Sequence, residues 1–344
     1  MNNYYKTWLV SCIFLVIAMV ILGGYTRLTD SGLSITEWYL IDGILPPLND
    51  DQWQVLFTKY QAIPQFKIVN FAMDMAGFKQ IFWLEYIHRI IGRIIGVAII
   101  IPALFFLLYK ADSDKKFIIM MMILIILQGA LGWFMVASGL KDNITVSHFR
   151  LATHLIVAFV IFALLFHHSL VNFISNNPLS SLNNKNSSFL YKIITVIFVI
   201  LTIQVFYGAL VAGLDAGLIY NEFPMMGENI YPNELLNTEL LNILFYNPAT
   251  VQFIHRIFAY IIILCNIILL FITINNSYAK EINYIILLVT MLILLQVIFG
   301  IATIITVVNI HIAVLHQLCA LILYAIVFSF YKELRSKKIN HELL

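Results

Sequence analysis

Four histidines in this chain fall inside runs of apolar residues. His88, His154, His255 and His316 each lie one to two turns from the end of such a run. An ionisable side chain there is costly and marks a functional site by default. Two imidazoles from different helices at one depth can clamp a metal centre from both sides. Zinc asks for tighter ligand spacing and usually a third protein ligand. Two trans imidazoles in an apolar helical core suit haem, whose macrocycle fills the space between them. A lone histidine near a helix end is more often a hydrogen-bonded core or interfacial residue. Four at matched depth, in positions that repeat along the chain, ask for more than that. His148 and His311 sit at helix starts, His167 and His168 at a helix end where imidazolium suits the dipole, and His341 in the tail. His148 competes with His154, because its spacing of 60 from His88 is close to the 61 between His255 and His316. The deeper position of His154, and the matches that follow it, favour His154.

The neighbours of these histidines differ between pairs. Glu85 stands three residues before His88, on the same helix face, and the residue at that place before His255 is Gln252. Glu-x-x-His also occurs in di-iron bundles, but those need a second such motif and two further glutamates. Here no other carboxylate lies within an apolar run. Arg89, Arg93, Arg150 and Arg256 lie near the level at which haem propionates would end. Gly92 and Gly96, at i+4 and i+8 from His88, clear a strip of helix surface on which a macrocycle could lie. One acidic and one neutral site suggest a division of labour. The Gln252 half would keep a permanent haem and pass electrons. The Glu85 half would bind a haem that is acted upon, with the carboxylate handling protons. The plainer reading of Glu85 is an acid at a helix N-terminus, stabilised by the dipole.

Long apolar helices must position these residues. The chain has 344 residues, 61% hydrophobic and 11% charged, against about 25% charged in a soluble domain. A crossing needs about 20 apolar residues, and eight stretches qualify: 8–25, 86–109, 117–136, 149–171, 190–212, 252–274, 282–305 and 311–331. The first is read as a retained span, since it lacks a small-x-small cleavage site. With the N-terminus in the cytoplasm, eleven Lys and Arg fall on the cytoplasmic side and five outside. Both termini are therefore expected to be cytoplasmic. Residues 26–85 and 213–248 become long outer loops, and Trp38, Trp53, Phe57 and Tyr60 could pack as a cap. The net charge of +2 shows no basic patch that would bind nucleic acid. Cys12, Cys265 and Cys319 all lie in apolar runs, which argues against a disulfide framework.

The spans repeat. Ile87-His88-Arg89-Ile90 returns as Ile254-His255-Arg256-Ile257, and Gln128-x-x-x-Gly132 as Gln296-x-x-x-Gly300. Aligning His154 with His316 matches Ala158, Ala163 and Phe166 to Ala320, Ala325 and Phe328, and Asp30-Ser-Gly32-Leu33 is echoed by Asp215-Ala-Gly217-Leu218. Four matches in order make a repeat of four spans, with the halves parallel across the membrane. The expected fold is an all-α membrane protein of eight transmembrane helices, built as two pseudo-symmetric four-helix bundles. Residues 1–175 form the half whose haem would be acted upon, 176–188 a cytoplasmic linker and 189–344 the half with the permanent haem.

The motifs carry a family resemblance along nearly the whole chain. They are Arg27-Leu-Thr-Asp-Ser-Gly-Leu-Ser-Ile-Thr-Glu-Trp38, Gly43 with Pro46-Pro47, Phe82-Trp-Leu-Glu-Tyr-Ile-His-Arg-Ile-Ile-Gly92, Arg150-Leu-Ala-Thr-His154, Phe223-Pro-Met-Met-Gly227, Gln252-Phe-Ile-His-Arg256 and His316-Gln317. In these the chain resembles the haem A synthases. The resemblance implies oxidation of a porphyrin methyl, the C8 methyl of haem O, to the formyl of haem A by two successive hydroxylations. It implies haem ligands at His88, His154, His255 and His316, an essential acid at Glu85 and a permanent haem b in the second half. Some members carry a cysteine pair in the first outer loop. Residues 26–85 have no cysteine, so the chain is similar to the cysteine-free subclass of alphaproteobacteria and mitochondria. Expected partners are haem O and haem A, an electron donor of ferredoxin-like or quinol type, haem O synthase and a second copy of the chain. The expected location is the bacterial inner membrane. The alternatives are a di-haem electron carrier of the quinol-oxidising kind, without chemistry on its haem, and a transporter with parallel repeats. The second predicts paired Gly/Pro interruptions at mid-membrane, and Pro102 stands alone.

Overall fold

The structure is a computed structural model that describes residues 3–38, 42–109, 114–141, 143–173, 184–236, 239–275, 278 and 280–342. Its α-helices are α1 (Asn3–Leu28), α2 (Asp50–Gln61), α3 (Pro64–Ile68), α4 (Met75–Tyr109), α5 (Lys115–Val136), α6 (His148–Phe173), α7 (Asn184–Gly213), α8 (Pro248–Asn275), α9 (Lys280–Ile305) and α10 (Ile310–Glu342). All but α2 and α3 are long and apolar enough to cross a membrane, eight spans among the described residues. Helices suit such runs because each backbone N–H finds its carbonyl within its own segment, which hydrocarbon demands. Among the described residues the only β pairing is the single bridge Met226–Asn229.

Capping side chains set where several helices begin. The Asp74 carboxylate accepts from Gly77 N at 2.8 Å, so α4 starts at Met75, eleven residues before the apolar run at 86. Asn247 accepts from Thr250 N at 3.1 Å and Pro248 opens α8. Asn309 accepts from His311 N and Ile312 N at the head of α10. α7 begins at Asn184, within the expected linker 176–188, whose residues 176–183 lie outside those described.

Internal contacts divide the chain into two compact units, Val10–Ala158 and Phe159–Leu344 with Asn2–Leu9. In the second unit α7 packs on α8 and α10, and α9 packs on the same two, closing a ring of four helices. In the first unit the extended close approach is between α4 and α5. The segment between α1 and α4 folds over the end of that unit. Trp53, Phe57 and Tyr60 pack with Leu33, Ile63, Phe78 and Phe82 in one buried cluster, with Trp53 and Phe82 ring centroids 4.9 Å apart. Each fully buried aromatic there contributes about 1.5–3 kcal/mol. Trp38, expected in this cap, lies outside the cluster, 42% exposed. Both long loops leave their helix through an aspartate in the left-handed region, Asp30 and Asp215, each at φ 51°. Aspartate is one of the few residue types that tolerate it.

Candidate functional site

The four half-buried histidines sit on α4, α6, α8 and α10, each facing a glycine of the preceding membrane-spanning helix. A Cβ placed on Gly132 of α5 would stand 3.1 Å from His154 Cε1. On Gly208 of α7 it would stand 3.1 Å from His255 Cε1, and on Gly300 of α9 3.0 Å from His316 Cε1. Only glycine leaves room for the rings at these crossings. His88 lies against Gly23 of α1, where a Cβ would stand 3.3 Å from Nε2. His88 and His154 lie within electrostatic reach of one another in the first unit, as His255 and His316 do in the second.

One turn before three of those glycines stands a glutamine. The carboxamide nitrogen of Gln128 lies 3.3 Å from His154 Nε2, that of Gln204 3.3 Å from His255 Nε2, and that of Gln296 3.2 Å from His316 Nε2. A hydrogen bond there fixes the plane of each ring. The other ring nitrogen, Nδ1, is buried without a protein partner in His154, His255 and His316. A buried polar atom of this kind needs a partner. Gln128 and Gln296 appear in the sequence as repeat markers, but their place against the histidines, and that of Gln204, comes from the fold. The sequence signal is the triple recurrence of Gln-x-x-x-Gly. The His148 ring lies against its neighbour Phe149 with centroids 4.5 Å apart and the planes tilted by 39°.

Next to the histidines each unit builds a clamp on its long loop. In the first, Glu85 is 2% exposed. Its Oε1 accepts from Arg89 Nε at 3.0 Å and Nη2 at 2.6 Å, and its Oε2 from Ser34 Oγ at 2.7 Å and Ile35 N at 2.9 Å. Arg89 also donates to Ile35 O at 2.7 Å and Glu37 O at 2.8 Å, and its guanidinium lies 4.9 Å from the centre of the Trp38 ring. In the second unit, Arg256 donates to Tyr220 O at 3.3 Å, Glu222 O at 3.0 Å and Met225 O at 3.1 Å. Gln252 donates to Tyr220 O at 3.0 Å, and its Oε1 is buried without a partner. The accepting carbonyls of Ile35 and Glu37 precede those of Tyr220 and Glu222 by 185 residues, the spacing that also separates Asp30 from Asp215.

The arginines singled out in the sequence are thus held by protein. Arg89 and Arg256 tie loops down. Arg150 donates to Phe134 O at 2.7 Å and lies over the Phe134 ring at 3.7 Å. Arg93 lies against Gly43, where a Cβ would stand 3.0 Å from Nη2. Gly96 faces open space and Gly92 faces the Met19 methyl.

The residues present fit an iron porphyrin. His154, His255 and His316 offer buried ring nitrogens without protein partners, and glycines stand against all four rings. Fold and site therefore define a class: a polytopic helical membrane protein with a histidine pair in each of two units. Residues 6–328 match the model of the cytochrome oxidase assembly protein family. The chain is 39% identical to the haem A synthase of Rickettsia bellii strain RML369-C over 98% of this chain and all of that one. It is 40% identical to that of Pelagibacter ubique over 95% of each chain, and 41% identical to that of a Wolbachia strain from Culex pipiens over 92% and 93%. This chain belongs to the haem A synthase family, and it is an integral, multi-pass protein of the bacterial inner membrane.

Proposed function

We propose that this protein is a haem A synthase that oxidises the C8 methyl of haem O to a formyl, in two successive hydroxylations, for use by cytochrome oxidase. Haem O is read as the substrate of the His88–His154 site in an N-terminal half, 1–175. His255 and His316 would hold a resident haem b in a C-terminal half, 189–344, with 176–188 between them and both termini cytoplasmic. Haem b, when bound there, supplies reversible one-electron transfer. The single observation that carries the reading is the one charged difference between two otherwise similar clamps, Glu85 against Gln252.

Glu85 is read as the group that handles protons. Arg89 anchors Oε1 through two hydrogen bonds, so the carboxylate cannot swing away. Oε2 is left to Ser34 and the Ile35 amide. The Ser34 hydroxyl lies 2.7 Å from Oε2 and 3.4 Å from Ile81 O. Turned to Ile81, it frees its own lone pair to accept from Oε2–H, so one hydroxyl serves both protonation states. The clamp keeps the loop closed over that carboxylate and excludes bulk water. Turnover needs a redox partner, for which a ferredoxin-like protein or a quinol is the fitting class. Haem O synthase as supplier and a second copy of the chain complete the proposed partners.

Mass analysis of haems extracted from cells that supply haem O tests this. Haem A, or a hydroxylated precursor, is the expected product of the wild type. A folded, haem-loaded protein that yields neither supports the electron-carrier reading instead. Glu85→Gln should retain its haem spectrum and lose the product.

A further inference from the structure

The four histidines are not held alike. His154, His255 and His316 each meet a glutamine four residues before the facing glycine. His88 faces Gly23, and four residues before Gly23 stands Met19. Met19 and Gln204 are separated by 185 residues, as are Gly23 and Gly208. A thioether donates no hydrogen bond and accepts weakly. The Met19 methyl is turned instead to Gly92, where a Cβ would stand 3.4 Å away. Among the described residues nothing hydrogen-bonds the His88 ring.

Helix packing differs at the same place. α7 runs closely along α8 and α9 along α10, whereas neither the α1–α4 seam beside His88 nor the α5–α6 seam beside His154 shows such an extended approach. The first unit is therefore the more loosely packed beside its histidines, and within it the His88 ring is the one without a glutamine.

We propose that His88 is the exchangeable ligand of the substrate haem and that Met19 keeps it exchangeable. This rests on reading His88 and His154 as the substrate-haem ligands. With its carboxamide turned so that the unpartnered Oε1 accepts the ring N–H, each glutamine orients a ligating imidazole and raises its basicity, and losing such a bond typically costs about 10–100-fold in affinity. A resident cofactor is served by two such bonds, at His255 and His316. A substrate that must leave as product is served by one fixed ligand, His154, about which it can pivot while His88 turns away.

The test swaps the two side chains in the full-length protein. Met19→Gln, Met19→Leu and Gln204→Met are loaded with ferric haem b as probe, and haem loss to apomyoglobin is followed optically. The two release phases are assigned with His154→Ala and His316→Ala. Met19→Gln is expected to slow first-site release by about 10–100-fold, and Gln204→Met to speed second-site release by about as much. A first-site phase present only in Met19→Gln supports the proposal equally. Met19→Leu should leave release unchanged. Unmoved phases in both swaps, or slowing by Met19→Leu as large as by Met19→Gln, overturn it. If instead His88→Ala and His154→Ala leave both phases in place, the assignment of the substrate site itself fails.

Discussion

The two units solve one problem twice and differ in two side chains that matter. Each has a histidine followed by an arginine, and each arginine gathers carbonyls from its unit's long loop. In the second unit the clamp is neutral apart from Arg256, and Gln252 completes it with an oxygen to spare. In the first, the same place holds Glu85, and every oxygen of that carboxylate is engaged. A scaffold that only needed to hold its loop would do so with the amide. The acid costs desolvation, which Arg89 offsets by direct pairing at 2.6 Å. The second difference, Met19 against Gln204, runs the other way and removes a constraint from the first unit. Under the proposal above, the second unit holds its haem, and the first handles a proton and lets its haem go.

The histidines give the largest effects. His154→Ala and His316→Ala should each remove one of two haems from the purified protein, measured by pyridine haemochrome against protein concentration. His148→Ala should remove neither, and loss of haem on that change would reverse the ligand assignment on α6. Next comes Glu85→Gln, expected to lower haem A output by about 10²–10⁴-fold with the visible spectrum intact. Gln252→Glu should not create a second oxidising site. Product formed by a Gln252→Glu, Glu85→Gln double variant would show that the acid alone, and not the rest of the first unit, sets the division.

Clamp stability is the next comparison. Arg89→Ala leaves a buried carboxylate unpaired and should cost about 3–5 kcal/mol. Arg256→Ala exposes only loop carbonyls and should cost about 1–3 kcal/mol. Adding Glu85→Gln to Arg89→Ala should recover much of the loss, a coupling that thermal unfolding in detergent would read as a double-mutant cycle. Equal costs for the two arginines would deny the clamps their difference in charge. The smallest effects belong to the glycines. Gly208→Ala and Gly300→Ala should push their imidazoles by a few tenths of an ångström and cost about 1–3 kcal/mol, visible as altered low-spin haem g-values. Gly96→Ala meets nothing within 4 Å and should change neither.

Much of this was legible in the sequence because membrane helices announce themselves. Runs of twenty apolar residues have few other uses, and an ionisable group inside one stands out. His88, His154, His255 and His316 are legible as candidates in that way, and Glu85 by its spacing. The early start of α4 was not, because Lys79, Gln80 and Glu85 interrupt the apolar window. The signal was Asp74, a cap three residues before a free amide. The arginines were harder. Their charge suggests an anionic ligand, whereas Arg89 and Arg256 meet carbonyls some fifty and thirty residues away in the chain. Only tertiary structure brings those together. Gln204 carried no charge and lay in an ordinary apolar helix, and nothing short of the fold shows which ring it touches.

α4 joins several of these features in one piece. Its 35 residues make a rod of about 52 Å, well beyond the roughly 30 Å of hydrocarbon it has to cross. The rod projects from the bilayer into the aromatic cap, where Phe78 and Phe82 are gripped by Trp53. Glu85, His88 and Arg89 follow within two further turns, and Pro102 lies beyond them, where a missing amide gives the rod a joint. Mechanically the segment from Phe78 to Arg89 is a lever. A load applied to the cap, by an antibody fragment or a docked protein, reaches His88 through rigid helix without crossing a loop.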